Sequence, residues 1–433
     1  MALVRVPPAP ALRGTVRVPP DKSITHRALL LGAVSDRAVA VERPLDSADT
    51  GATRAAMEAS GVEIAGELGD AVRIAGRGLR GLRPPPAIDC ANAGTLMRLL
   101  VGLLVGQRAD KVVLDGDDSL RGRPMARIAR PLRSIGAAIF TSPGGTPPLV
   151  VDGGRPLRGQ VHELEVASAQ VKSCLLLAGL FAEGETWVRE PAPSRDHTER
   201  MLAAAGVEVM RDGLAVGVRG PVEGLSLPDL RVPGDFSSAA PLLVAAALRA
   251  DPEVRLSGVN LNPARTGLLR IMERMGAEVV VEEGPEEGGE PCGDLVVRRA
   301  GGLRAAEVEP HEVPATIDEL PLVGLLGAFA SGVTVVRGAA ELRVKESDRI
   351  ATVVRALRAL GARAEEREDG FEVFGTGRLA GGEVASHGDH RLAMLGAVAG
   401  LASGEGVAVD GFEAVTVSYP GFARDLVAIG APS

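Results

Sequence analysis

Met57-Glu58-Ala59-Ser60-Gly61-Val62-Glu63-Ile64 decides the fold, because it is not unique in the chain. An amphipathic helix stops at a glycine, and a short β-branched strand follows. The pattern returns as Leu132-Arg133-Ser134-Ile135-Gly136-Ala137-Ala138-Ile139. It recurs at residues 202–209 around Gly206, 272–279 around Gly276 and 357–364 around Gly361. A truncated sixth copy is Ile429-Gly430-Ala431. Each glycine stands where a helix ends, so a left-handed C-terminal cap is expected at all six. Spacings of 75, 70, 70, 85 and 69 residues are too long for a solenoid and suit a βαβ unit plus a hairpin.

At 433 residues the chain exceeds one ordinary core, so two domains are expected, with three of the six units in each. The midpoint falls near Leu230-Arg231-Val232-Pro233-Gly234-Asp235, which precedes an Ala/Leu helix over residues 237–249. Pro19-Pro20-Asp21 precedes a similar helix over 23–34. The two proline-bearing connectors read equally well as hinges or as ordinary helix starts. Apolar residues make up 45% and aromatics 2%, with single Trp187 and Tyr419, so the cores are built from Ala, Val and Leu.

The net charge of -8 gives no pull toward nucleic acid, and the scarcity of aromatics argues against base stacking. Cys90, Cys174 and Cys292 match neither a zinc pattern nor a disulfide framework. The first twenty residues lack a secretory profile, and no apolar run is long enough to span a membrane. A cytoplasmic protein is expected.

Only four of the 48 basic residues are lysine: Lys22, Lys111, Lys172 and Lys345. Lys is a compact charge with a tunable pKa, where Arg is a planar, permanently charged fork. Lys111 reads as a surface residue. The other three lie in dense polar clusters: residues 21–27, 168–173 and 345–349. In the first, Asp21 or Ser23 can cap a helix whose free N–H groups favour an anion. Asn92, Gly94, Thr95 and Arg98 form another loop-to-helix junction, and the loop over 115–124 supplies Arg121 and Arg123. Further polar helix starts are Ser194-Arg195-Asp196-His197, Asp318-Glu319 and Asp389-His390-Arg391. Capping or solvation explains any one of them. Seven in both halves suggest helix ends converging on one basic interdomain cleft, with Asp318 and Glu346 as acid–base candidates. Such a site suits a substrate with several negative charges, phosphate among them. The sequence contains no metal-ligand spacing, Walker loop or dinucleotide fingerprint, so no cofactor or metal is expected.

Together these clusters resemble the enolpyruvyl transferase family, in its branch acting on shikimate 3-phosphate. The matching segments are residues 12–19, 21–27, 92–98, 121–124, 168–173, 194–196, 234–235, 318, 345–349, 389–391 and 418–420, in family order along the whole chain. The resemblance implies a two-domain inside-out α/β barrel with three βαβαββ repeats per domain. Residues 19–233 would form one domain, 1–18 plus 234–433 the other, and the active site would lie in the cleft. It implies transfer of the enolpyruvyl group of phosphoenolpyruvate to the 5-hydroxyl of shikimate 3-phosphate by addition and elimination, within aromatic amino-acid biosynthesis. A monomer binding these two small molecules, without cofactor, nucleic acid or membrane, is expected.

Carried over by position, Lys22, Ser23, Arg27, Ser168, Ala169, Gln170, Ser194 or Arg195, Asp318 and Lys345 would form the shikimate 3-phosphate site. Lys22, Gly94, Arg121, Gln170, Arg349 and Arg391 would hold phosphoenolpyruvate. Lys22, Asp318 and Glu346 would be catalytic, with Glu346 exchanging the proton at the vinyl carbon and Asp318 addressing the hydroxyl. Four positions depart from the family pattern: Ala169 replaces a second Ser, Val417 replaces a Lys, and Pro20 and Ala91 stand where Gly is common. Gly94 implies sensitivity to the inhibitor glyphosate. Two rivals remain: the sister enzyme acting on UDP-N-acetylglucosamine, which uses a loop cysteine, and an inactive metabolite-binding paralogue.

Overall fold

The computed structural model describes residues 3–432. All six repeat glycines, Gly61, Gly136, Gly206, Gly276, Gly361 and Gly430, have φ between +85° and +104°. The helix ends therefore need a left-handed residue, which glycine supplies without a Cβ clash.

The chain forms two compact units, residues 20–232 with 287–290, and residues 1–19 with 233–286 and 291–433. The first holds three four-stranded sheets of one plan. In each, two parallel strands are followed by an antiparallel hairpin. Ala87–Asp89 pairs parallel with Val112–Asp115, which pairs antiparallel with Leu149–Asp152 and so with Ala138–Phe140. Val161–Glu163, Gly184–Arg189, Ala215–Gly220 and Val209–Asp212 repeat this order. So do Leu230–Arg231, Val39–Glu42, Ala71–Ala75 and Glu63–Glu67.

The second unit has two such sheets and a third of three strands. Leu12–Arg17 pairs parallel with Ala250–Asn260. In the three-stranded sheet Leu3–Val6 lies antiparallel to Val407–Asp410, which is parallel to Gly382–Ala385. The truncated sixth repeat is thus completed by the other end of the chain: Leu3–Val6 takes the place of the missing hairpin strand.

Each unit contains three helices buried almost all round, and these position the polar clusters. In the first they are Lys22–Ala33, Gly94–Leu104 and Ala169–Gly179. In the second they are Phe236–Arg249, Leu320–Phe329 and His390–Ala402. A helix without a polar face belongs inside its layer, so sheets and amphipathic helices such as Arg349–Ala359 cover them. This is the mixed α/β, helices-inside arrangement that the resemblance implies. The polar residues sit at the N-termini of the inner helices, where four backbone N–H groups lack intrahelical partners.

Candidate active site

In the first unit, Asp21 caps its helix by accepting from Ile24 N–H (2.9 Å), which places Lys22 and Ser23 in the first turn. Lys22 Nζ is 2.9 Å from Asp49 Oδ2. Arg27, one turn further, is 3% exposed. It donates to Thr198 Oγ1 (2.6 Å), to the Ser23 carbonyl (2.9 Å) and to Ser173 Oγ (3.0 Å). Burial pulls the guanidinium down to about 10 against the opposing attraction of Glu199 and Asp21.

A second group gathers at the next two inner helices. Gln170 accepts from Arg98 Nη1 (2.6 Å) and donates to Thr95 Oγ1 (2.9 Å). A Cβ on Gly94 would meet Arg98 Nη1 at 3.0 Å and Arg123 Nη1 at 3.1 Å. Arg123 donates to Asn92 Oδ1 (2.7 Å). Gly94, Gln170, Arg98 and Arg123 thus form one cationic corner that only a glycine leaves open. Ala91, before it, holds φ +47°. This is the left-handed region, costly for any residue with a Cβ, and it accounts for glycine suiting that position.

Arg121 is not part of this corner, contrary to expectation. Its guanidinium forks onto Asp115, Nε to Oδ1 at 3.0 Å and Nη2 to Oδ2 at 2.8 Å. Asp118 lies 3.7 Å away, one turn earlier, and the Arg121 side chain is half exposed. Local carboxylates capture Arg121 and leave Arg123, buried before Pro124, to face Gly94. The three aspartates at 115, 117 and 118 were the available signal.

Ser168 accepts from Val171 N–H (3.5 Å) and so caps the third inner helix, with Ala169 and Gln170 in its first turn. Ser194 is buried and gives its only proton to Glu190 Oε2 (2.8 Å). The Ser194 hydroxyl proton is thus engaged within the protein, whereas a guanidinium such as that of Arg195 carries five N–H donors.

In the second unit the expected residues meet around Arg349, whose side chain is 1% exposed. It donates to Glu346 Oε2 (2.6 Å), Asp318 Oδ1 (3.3 Å) and Asp389 Oδ2 (2.8 Å). Burial opposes its charge, but Asp389 and Glu346 outweigh burial and hold it well above the usual arginine range. Arg391 Nη2 lies 3.7 Å from Asp318 Oδ2, and Arg391 Nη1 donates to the Ser237 carbonyl (3.2 Å). The N-termini of all three inner helices are thereby tied together. Asp389 was read only as a helix start. It accepts from Arg349, Ser347 Oγ (3.0 Å) and Arg391 N–H (2.9 Å), knitting the loop before Arg349 to the helix after it. Desolvation lowers the Lys345 ammonium below its ordinary range, with Asp318 and Glu341 pulling back.

The arrangement offers two carboxylates, Asp318 and Glu346, beside two cations, which suits proton transfer on an anionic substrate. A loop-cysteine mechanism finds no support: all three cysteines are buried, and burial pushes Cys90 and Cys174 up to about 12, where a thiolate does not form near neutrality. Among the described residues no cluster could hold a metal ion, and no helix is long and apolar enough to cross a membrane.

A family model described as EPSP synthase (3-phosphoshikimate 1-carboxyvinyltransferase) matches residues 6–426. The 3-phosphoshikimate 1-carboxyvinyltransferase of Halorhodospira halophila is 49% identical over 427 residues, covering 98% of this chain and 96% of the relative. That of Roseiflexus castenholzii is 49% identical over 415 residues, covering 95% and 96%. The solved EPSP synthase of Acinetobacter baumannii superposes with a TM-score of 0.88 at 42% identity, covering 99% and 98%. The enolpyruvyl transferase NikO of Streptomyces tendae, at 18% identity and a TM-score of 0.80, shares the fold. With two units of helices enclosed by small sheets and relatives alike over nearly the whole length, the chain belongs to the EPSP synthase family.

Proposed function

We propose that the chain transfers the enolpyruvyl group of phosphoenolpyruvate to the 5-hydroxyl of shikimate 3-phosphate, releasing phosphate. The observation that carries the assignment of chemistry to residues is that one buried guanidinium, Arg349, holds both Asp318 and Glu346. In the addition step, the hydroxyl oxygen bonds to C2 of phosphoenolpyruvate as the C2–C3 π bond breaks, Asp318 takes the hydroxyl proton, and Glu346, protonated from solvent once Arg349 lets it go, delivers that proton to C3. In the elimination step, Glu346 removes a proton from C3, the double bond re-forms as the C2–O bond to phosphate breaks, and the departing phosphate carries off the proton that Asp318 took. A bound phosphoenolpyruvate anion competes with the two carboxylates for Arg349 and so releases them for proton transfer as the site fills.

Lys22, Arg391 and the Gly94–Gln170 corner with Arg98 and Arg123 hold phosphoenolpyruvate. Ser23, Arg27, Ser168, Gln170, Arg195 and Lys345 hold shikimate 3-phosphate. Ordered cations are worth more in a closed, dry site than in water.

The chain works as a monomer in the cytoplasm. Large exposed apolar residues such as Leu3, Phe140 and Val161 come from separate strands, and free thiols fit a reducing compartment. The test is phosphate release with phosphoenolpyruvate and either shikimate 3-phosphate or UDP-N-acetylglucosamine. Release with the first acceptor alone is expected. Release only with the sugar nucleotide assigns the sister reaction, and silence with both refutes the transfer.

A further inference from the structure

We propose that Glu190 is a positioning residue for recognition of the substrate phosphate: one buried carboxylate locks together the two loops that carry Ser168 and Ser194-Arg195. The proposal rests on the reading of those loops as the shikimate 3-phosphate site.

Glu190 follows the strand Gly184–Arg189 and is 4% exposed. Its Oε1 accepts the Ser168 backbone N–H at 2.9 Å. Its Oε2 accepts the Ser194 hydroxyl at 2.8 Å and lies 2.7 Å from Lys172 Nζ. Lys172 stands in the first turn of the helix that Ser168 caps, and its Nζ also reaches Glu199 Oε1 at 2.8 Å and the Ser194 carbonyl at 3.4 Å. The Ser194 loop is therefore gripped at its hydroxyl by Glu190 and at its carbonyl by Lys172, while Glu190 holds the Ser168 loop by its backbone.

The chemistry demands a carboxylate. Three donors converge on two oxygens: an N–H, an O–H and an ammonium. An ionised carboxyl group accepts all three, whereas an amide has one oxygen and would turn two protons of its own toward other donors. Burial alone would lower Lys172, but Glu199 and Glu190 outweigh it and keep the ammonium charged. Glu199 is also the largest attraction acting on Arg27. Glu190, Lys172, Glu199 and Arg27 thus alternate in sign, from the clamp to a guanidinium assigned to shikimate 3-phosphate. Lys172, one of four lysines in the chain, is spent inside the structure rather than on substrate.

A site held in this way pays little ordering entropy when the phosphate arrives. The clamp bears on the phosphate and not on the shikimate ring. Its signature is therefore discrimination: the ratio of the Kd for shikimate to the Kd for shikimate 3-phosphate. Glu190→Gln in the full chain is the first variant. It retains the Lys172–Glu199 ion pair at 2.8 Å, although one negative charge is removed from the alternating series. A loss of two charge-assisted hydrogen bonds makes the Kd for shikimate 3-phosphate rise about tenfold or more. The Kd for shikimate and the KM for phosphoenolpyruvate stay within about twofold, so discrimination falls about tenfold.

Glu190→Asp is the second variant. It keeps the charge but is one methylene too short to reach both loops, and discrimination falls by a smaller factor. If Glu190→Gln fails to fold, Glu190→Asp decides. Folded variants that retain wild-type discrimination, or that weaken shikimate and shikimate 3-phosphate equally, overturn the proposal. A wild-type chain with no preference for the phosphorylated ligand instead overturns the placement of the site, a result read before any variant is made.

Discussion

Replacing Gly94 by alanine should weaken glyphosate more than phosphoenolpyruvate while leaving the fold intact. Gly94 is not in the left-handed region and opens the helix Gly94–Leu104, where alanine is no worse a helix former than glycine. The added methyl would lie 3.0 Å from Arg98 Nη1, 3.1 Å from Arg123 Nη1 and 3.6 Å from Leu120 Cδ1. The first two distances are shorter than ordinary contact, about 3.5 Å, so both guanidinium ends must retreat by about half an ångström. Overpacking on this scale costs about 1–3 kcal/mol, or roughly five- to 150-fold in affinity. The larger loss falls on whichever ligand uses the space over the glycine. The assay is steady-state phosphate release, reading the inhibition constant for glyphosate against the KM for phosphoenolpyruvate in both proteins. An inhibition constant unchanged within about twofold in a folded variant would falsify the placement of the inhibitor at the Gly94 corner, because a methyl cannot enter that corner unnoticed.

Three other outcomes are expected. Arg123→Ala should raise the KM for phosphoenolpyruvate by about tenfold or more, as expected for a lost charged hydrogen bond, whereas Arg121→Ala should leave it within about twofold, since an exposed pair is worth little; comparing the two KM values checks this. Glu346→Gln should lower kcat by about 10²–10⁴, measured by single-turnover phosphate release, with phosphoenolpyruvate still binding. His26 is fully buried, and burial lowers it from 6.5 to about 3, with Asp49 opposing and Lys22 and Arg27 assisting. The unfolded chain therefore binds the proton that the folded chain refuses, and this contribution to stability, whole above 6.5, is lost as pH falls toward 3. About 2 kcal/mol should disappear between pH 7 and pH 5; urea unfolding at the two pH values should show a smaller difference in His26→Gln.

The repeat was legible because its punctuation is chemical: a glycine at φ above +80° can be inferred from helix-then-strand patterning alone. The inner helices were legible as Ala/Leu runs with polar starts. Other features depended on who is near whom. Arg121 and Arg123 look alike in sequence, and only the fork of Asp115 onto Arg121 separates them. Lys172 stood among the residues expected to do chemistry, yet two buried carboxylates occupy it. Glu190, between Arg189 and Pro191, reads as the polar end of a surface strand. Its importance comes from loops 22 residues before it and four after it, a closure that no local pattern records.

The pairing of Leu3–Val6 with Val407–Asp410 sets a timetable for the newborn chain. A strand made early must wait for a partner made about 400 residues later. At about 5–20 residues per second, some 400 residues take roughly 20–80 s. Residues 20–232 emerge early enough to complete their sheets within that interval, while Leu12–Arg17 waits for Ala250–Asn260 and Leu3–Val6 waits longer still, for Val407–Asp410. Unpaired strand edges invite pairing with the wrong chain. Pro7, Pro8 and Pro10 stand between the two waiting strands and cannot donate to a ladder. They keep this stretch from zipping onto a neighbouring nascent chain until its own partners have been made.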